Sequence, residues 1–194
     1  MLSDSFIDWW HAPWSDAIEA PAMYGEDHFG RSDAYMLWCE HAGMNAALPT
    51  TFDTGWSMLE NLRHEELSGI ARLFGGIIAA RAHALDFSAQ LSLIERKWCA
   101  SIASTQPLNM APGAAYTAAD GLNLMGLTEL AWRVERDFCG LWPRVALRIE
   151  KPVRSRIVQI LGNIPAFPEE TRSGTLRAQR CWQISRRQAA QQVS

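Results

Sequence analysis

The chain has 194 residues, 48% of them hydrophobic and 20% charged, with a formal net charge of −3. These values exclude a disordered polyelectrolyte and suit a globular chain that buries a core without disulfide staples. The small net charge hides an asymmetry: residues 1–143 hold 8 Lys/Arg and 18 Asp/Glu, net −10, and residues 144–194 hold 10 Lys/Arg and 3 Asp/Glu, net +7. A charge dipole of that kind points to binding partners rather than to a reaction.

In chain order, residues 1–30 are aromatic and acidic, and a short helix is expected to start at Ser15 and end before Pro21. Ser32 or Asp33 caps a helix through His41, with Met36, Leu37 and Glu40 setting its faces and Gly43 as its left-handed stop. A turn of helix over Met44 to Leu48 ends at Pro49. Asp53 caps the next helix, which puts Trp56, Leu59 and Leu62 on one stripe. From Glu65 a helix continues through Leu67, Ile70, Leu73/Phe74 and Ile77/Ile78. Gly75-Gly76 inside it predicts a kink or a close helix–helix approach. Asp86 caps a further helix with the stripe Phe87, Leu91, Ile94, Trp98 and Ile102. Residues 105–119 contain Pro107, Pro112 and Gly113 and read as the longest loop.

Asp120 then caps the best helix of the chain, Gly121 to Phe138, with the i,i+4 pair Glu129–Arg133. Gly140 ends it and Pro143 prevents its resumption. Val145, Leu147 and Ile149 alternate with Arg144, Arg148 and Glu150, which predicts a short strand or hairpin at 144–150 with a basic outer face. Pro152 opens a helix with Val153, Ile157, Ile160/Leu161 and Ile164 inward. Thr175 to Val193 is a basic tail that reads as a docking helix or a frayed end. The expected fold is mainly α, a compact multi-helix domain. Residues 1–104 form its acidic, Trp-rich part and residues 120–194 its central helix and basic part.

No stretch carries a catalytic signature. Cys39, Cys99, Cys139 and Cys181 are spaced about 40 to 60 residues apart, unlike zinc or redox motifs. The histidines show no HExxH spacing, and no Gly-x-Ser-x-Gly elbow or phosphate-binding glycine loop occurs. The expectation is a non-enzyme without cofactor or metal. The N-terminus reads unlike a signal peptide and the apolar run near Leu73 to Ala80 is too short to span a bilayer, so a cytoplasmic chain with reduced thiols is expected. Nine tryptophans serve both cores and interfaces. The C-terminal cations are nearly all Arg, which suits bidentate contacts to carboxylate or phosphate. The acidic remainder would repel nucleic acid, so an acidic protein partner, or this chain's own acidic half, is preferred.

The stretch Asp120-Gly121-Leu122, Leu127-x-Glu129-Leu130 and Gly140-Leu141-Trp142-Pro143-Arg144-Val145-Ala146-Leu147-Arg148 resembles the C-terminal half of the small cytoplasmic K component of bacterial type III secretion systems, plant-pathogen and rhizobial relatives included. Arg177-x-x-Arg180-Cys181-Trp182 is similar to the ends of those proteins, and Asn45-Ala46-Ala47-Leu48 to a short helical segment. Trp10-His11-Ala12-Pro13-Trp14 is similar to their His-Pro-x-Trp-like segment, with the proline displaced by one residue. The match covers about a third of the chain.

The resemblance implies a non-enzymatic adaptor of the sorting platform. It would link the cytoplasmic domain of the inner-membrane ring to the pod protein and reach the membrane only through protein partners. Candidate contact residues are Trp9, Trp10, Trp14 and Asp16 at one end, and Trp142, Arg144, Arg148, Arg180 and Trp182 at the other. Competing readings are a secretion chaperone or partner-binding regulator, a nucleic-acid binder through the basic end, and an enzyme with a dispersed His/Asp/Cys site.

Overall fold

A computed structural model describes residues 2–18, 30–117, 119–164 and 171–193; within them the side chains of Ser15, Asp16, Arg31 and Val193 are not described. The helices are α1 (Asp4–His11), α2 (Arg31–His41), α3 (His64–Arg81), α4 (Leu85–Ser88), α5 (Leu93–Thr105), α6 (Gly121–Asp137), α7 (Leu141–Ala146), α8 (Lys151–Leu161) and α9 (Arg172–Val193). Two 3₁₀ segments, Pro13–Asp16 and Thr54–Asn61, connect them. The chain is mainly helical, and no strand occurs among the described residues.

Helix α3 is the axis. Residues Leu67, Ile70, Ala71 and Leu73 to Ala79 are all buried; the unbroken run from Leu73 is the pattern of a helix surrounded on every side there. Its Gly75-Gly76 pair produces the predicted close approach, against two different helices. A Cβ on Gly75 would run into Leu122 O and Gly126 N of α6, and a Cβ on Gly126 would run into Ala71 O. A Cβ on Gly76 would lie 2.8 Å from Cys99 Sγ of α5 and 2.9 Å from Leu91 Cδ1. On a third side α9 lays down Ala178, Cys181, Trp182 and Ser185, all buried, with Trp182 edge-on to Phe74 at 5.4 Å. Helix α8 packs on α6 and is tied to its start by Arg156, which donates to both carboxylate oxygens of Asp120. One hydrophobic cluster runs through both the acidic and the basic parts of the chain.

Several local expectations change. The strand at 144–150 is helix α7 followed by a turn. Arg144 in α7 and Arg148 in the turn after it both point inward, so counting them as outward residues manufactured the alternation. Pro143 sits in the first turn of α7, where a missing N–H is tolerated, and Gly140 (φ 81°) is the joint between α6 and α7 rather than a stop. Asp120 does not cap α6; its carboxylate holds Thr117 N and Oγ1 and Arg156 instead. The helix expected at Ser15 is the end of a 3₁₀ turn, with Ala17 already extended, and its remainder falls outside the described residues. Met44 to Leu48 is not helical. Trp56, Leu59 and Leu62 are buried as expected, but their spacing of three belongs to a 3₁₀ segment. The helix expected from Asp86 is split, because Ser92 and Glu95 form a reciprocal capping box that starts α5 afresh. Ile94 is consequently 79% exposed, off the core stripe.

Two outcomes follow from this packing. Gly126→Ala should cost about 1–3 kcal/mol or more, since the new methyl must push the α3 backbone away, read as a lower urea midpoint. Glu95 accepts two hydrogen bonds from Arg72 and one from Ser92 N, which lowers its pKa from an ordinary 4.5 to about 2. A depressed carboxyl supports the fold fully above its unfolded pKa and loses that support as pH falls through the folded value. The stability of the chain should therefore decline between about pH 4.5 and 2, and Glu95→Gln should flatten that decline in acid-denaturation curves.

Candidate interaction surfaces

The structure sorts the candidate contact residues by burial. Trp9, Trp10, Trp142, Arg144, Arg148 and Trp182 are interior, so these six hold the fold and cannot serve as an open contact surface. Trp14 is half-buried, with its ring edge-on to Trp38 at 6.0 Å. Arg180 is exposed. Asp16 closes the 3₁₀ turn after Pro13, and its side chain lies outside the described residues.

Arg144 explains why so many aromatics gather at the N-terminus. It is fully buried, with its guanidinium carbon 3.5 Å from the centre of the Trp10 ring. Tyr35 and Trp38 of α2 lie farther out, at 5.6 and 5.4 Å. Nε donates to Trp10 O, Nη1 to Gly140 O and Nη2 to Tyr35 Oη. The hydrogen-bond acceptors are all neutral oxygens, and stacking on a desolvated indole supplies the rest of the compensation. Burial lowers the Arg144 pKa and raises those of Tyr35 and Cys39. Tyr35 Oη passes the interaction on by donating to Ala46 O. One cation thus ties α1, α2, the Gly140 joint and α7 together. Arg148 does the same one turn on, donating to Leu59 O and Glu60 O and lying over Trp9.

A third buried cation is Arg133, whose burial the i,i+4 pairing with Glu129 did not reveal. Both side chains are inside, at 0% and 1% exposure. Glu129 accepts from Arg133 Nη1, from Ala111 N and from Tyr116 Oη, while Arg133 Nη2 donates to Asn109 O. The pair staples the 106–120 loop to α6. Its only sequence signal was two charges placed among the apolar residues of an otherwise buried helix.

What remains on the surface is different in kind. Arg172, Leu176, Arg180, Gln183 and Arg187 fall on one side of α9 and are all exposed. No Asp or Glu occurs between residues 172 and 193, and none of those three arginines has an ion-pair partner among the described residues. Asp33, Met36, Leu37 and Glu40 form an exposed face of α2, bordering an open hollow of about 700 Å³ with Met44, Asn45 and Ala46.

Among the described residues no three His, Cys, Asp or Glu side chains converge as metal ligands, and no helix is long and apolar enough to cross a membrane. His11 Nδ1 bonds to Ile7 O and His64 Nδ1 to Arg148 O; His28 falls outside the described residues. Cys99 and Cys181 are buried thiols pushed up to about 12 and about 11. Comparison with protein-family models, curated proteins and solved structures finds no match to the chain.

The Glu129–Arg133 staple makes a sharp stability expectation. Glu129→Gln leaves a buried guanidinium without its counter-charge and should cost about 3 kcal/mol or more, whereas the double change to leucine should cost less. Chemical denaturation measures the difference. Amide exchange at Ala111 should quicken in the single variant.

Proposed function

We propose that the chain is a non-catalytic helical adaptor that holds two protein partners, and that its setting is the cytoplasmic sorting platform of a type III secretion system. The setting rests on the sequence resemblance around Gly140 to Arg148. The adaptor role rests on one observation above all, the unpaired arginine row of α9. Three cations and Leu176 lie along one side of a helix whose other side is locked into the core, so the row is both rigid and available. Rigid, pre-positioned arginines recognise carboxylates with little ordering cost. The α2 face offers the opposite chemistry, two acids around Met36 and Leu37. Unlike charge on two elements gives each partner its own site and disfavours exchange between them.

The inner-ring cytoplasmic domain and the pod protein are the partners this reading names. Changing Arg172, Arg180 and Arg187 together to Glu should abolish capture of one of them and spare the other, in pull-downs with purified components. Binding of neither partner by the folded wild-type chain would sink the proposal. The same arginine row favours a second reading, contact with a nucleic-acid backbone. That reading requires duplex binding that weakens steeply with salt and vanishes in the triple variant.

A further inference from the structure

The glycines in the interiors of α3 and α6 divide into two kinds. Gly75, Gly76 and Gly126 are required by the fold, since a methyl at any of them would strike a neighbouring element. Gly69, in the interior of α3, is not: a Cβ there would meet nothing within 4 Å. A helix-interior glycine weakens its helix relative to alanine, so this one has a cost and no packing reason inside the chain. It lines a groove of about 540 Å³ where the start of α3 and the end of α9 diverge. Ile70, Ala189 and Ala190 line it beside Gly69. Glu65 and Glu66 line the α3 side, and Arg186 and Gln192 the α9 side. None of the three charged residues has an ion-pair partner among the described residues, although Glu66 Oε2 accepts from Arg63 N.

We propose that this groove is a docking site for one amphipathic helix of a partner protein, laid between α3 and α9 with its backbone close to Gly69. Small residues on both walls let a helix sink in rather than perch on side-chain tips, and a groove between helices is a recurrent mode of helix capture. The charges set the occupant's chemistry and direction. Lys or Arg on one edge meets Glu65 and Glu66, and Asp or Glu on the other edge meets Arg186. A polyanion or an anionic lipid surface is disfavoured by the two glutamates. The site is separate from the arginine row of α9 and does not depend on which assembly the chain serves.

The test uses the full chain and a labelled synthetic helix bearing Ala and Leu on its contact face, Lys along one edge and Glu along the other. Its comparator has a polyanionic polar face. Fluorescence anisotropy should show binding of the first and at least ten-fold weaker binding of the second. Gly69→Leu should weaken binding at least ten-fold without lowering the melting temperature. Gly69→Ala should raise the melting temperature by about 2–4 °C. The pair Glu65→Arg with Arg186→Glu should bind a peptide of the same contact face whose Lys and Glu edges are exchanged, in preference to the original. Equal binding by the Gly69→Leu chain would overturn the proposal, as would a fall in melting temperature for Gly69→Ala, which would make the glycine a structural requirement. Self-association in light scattering that disappears with Gly69→Leu would overturn it too, by making a second copy the occupant.

Discussion

The fold depends on the backbone contact between α3 and α6. Gly75 and Gly126 remove the side chains that would hold these helices at the usual 8–10 Å separation, and the two backbones touch. That approach leaves α3 at the centre, with α5 and α9 completing its enclosure. From Leu73 to Ala79 the helix is buried on all sides, which is why that stretch reads as continuously apolar, while its first turns keep a solvent-facing side. The glycines cost helix propensity, and the packing they permit offsets it.

Around that axis, buried cations organise the rest. Arg133 draws the long loop onto α6, and Arg144 and Arg148 bind the N-terminal aromatics to the α6–α7 joint. Removing a guanidinium from water is expensive unless its donors are met and its faces are covered. Trp10, Tyr35 and a set of carbonyl oxygens do both for Arg144. The charge asymmetry of the sequence is therefore not a map of the surface. Two of the ten C-terminal cations are spent in the core, and Arg156 is engaged with Asp120. The exposed cations that carry the adaptor reading are those of α9.

Much of the helical architecture was legible beforehand. Helices α2, α3, α6 and α8 lie close to where periodicity and Pro/Gly punctuation put them, and the loop before Asp120 is where its prolines and glycine said. Burial of charge was the hardest feature to read. The strand at 144–150 assumed that Arg144 and Arg148 face water, and the i,i+4 pairing of Glu129–Arg133 said nothing of their burial. In this chain Arg144, Arg148, Glu129 and Arg133 are interior because distant residues complete their hydrogen bonds, and nothing local announces that. The contact surfaces were accordingly only half seen: Arg180 stands exposed, while the tryptophans flanking it in the argument, Trp142 and Trp182, are core.

The sequence by itself determined the helical class, the positions of most helices and that Gly75-Gly76 would either kink its helix or admit a close neighbour, because these follow from local propensity and periodicity. Only the tertiary structure decided which helix meets each glycine of the Gly75-Gly76 pair, which arginines are buried and which stand exposed along α9, and that Gly69 lines an open groove. Those outcomes depend on partners tens of residues away, and a side chain's burial is a property of the assembled neighbours rather than of its own segment.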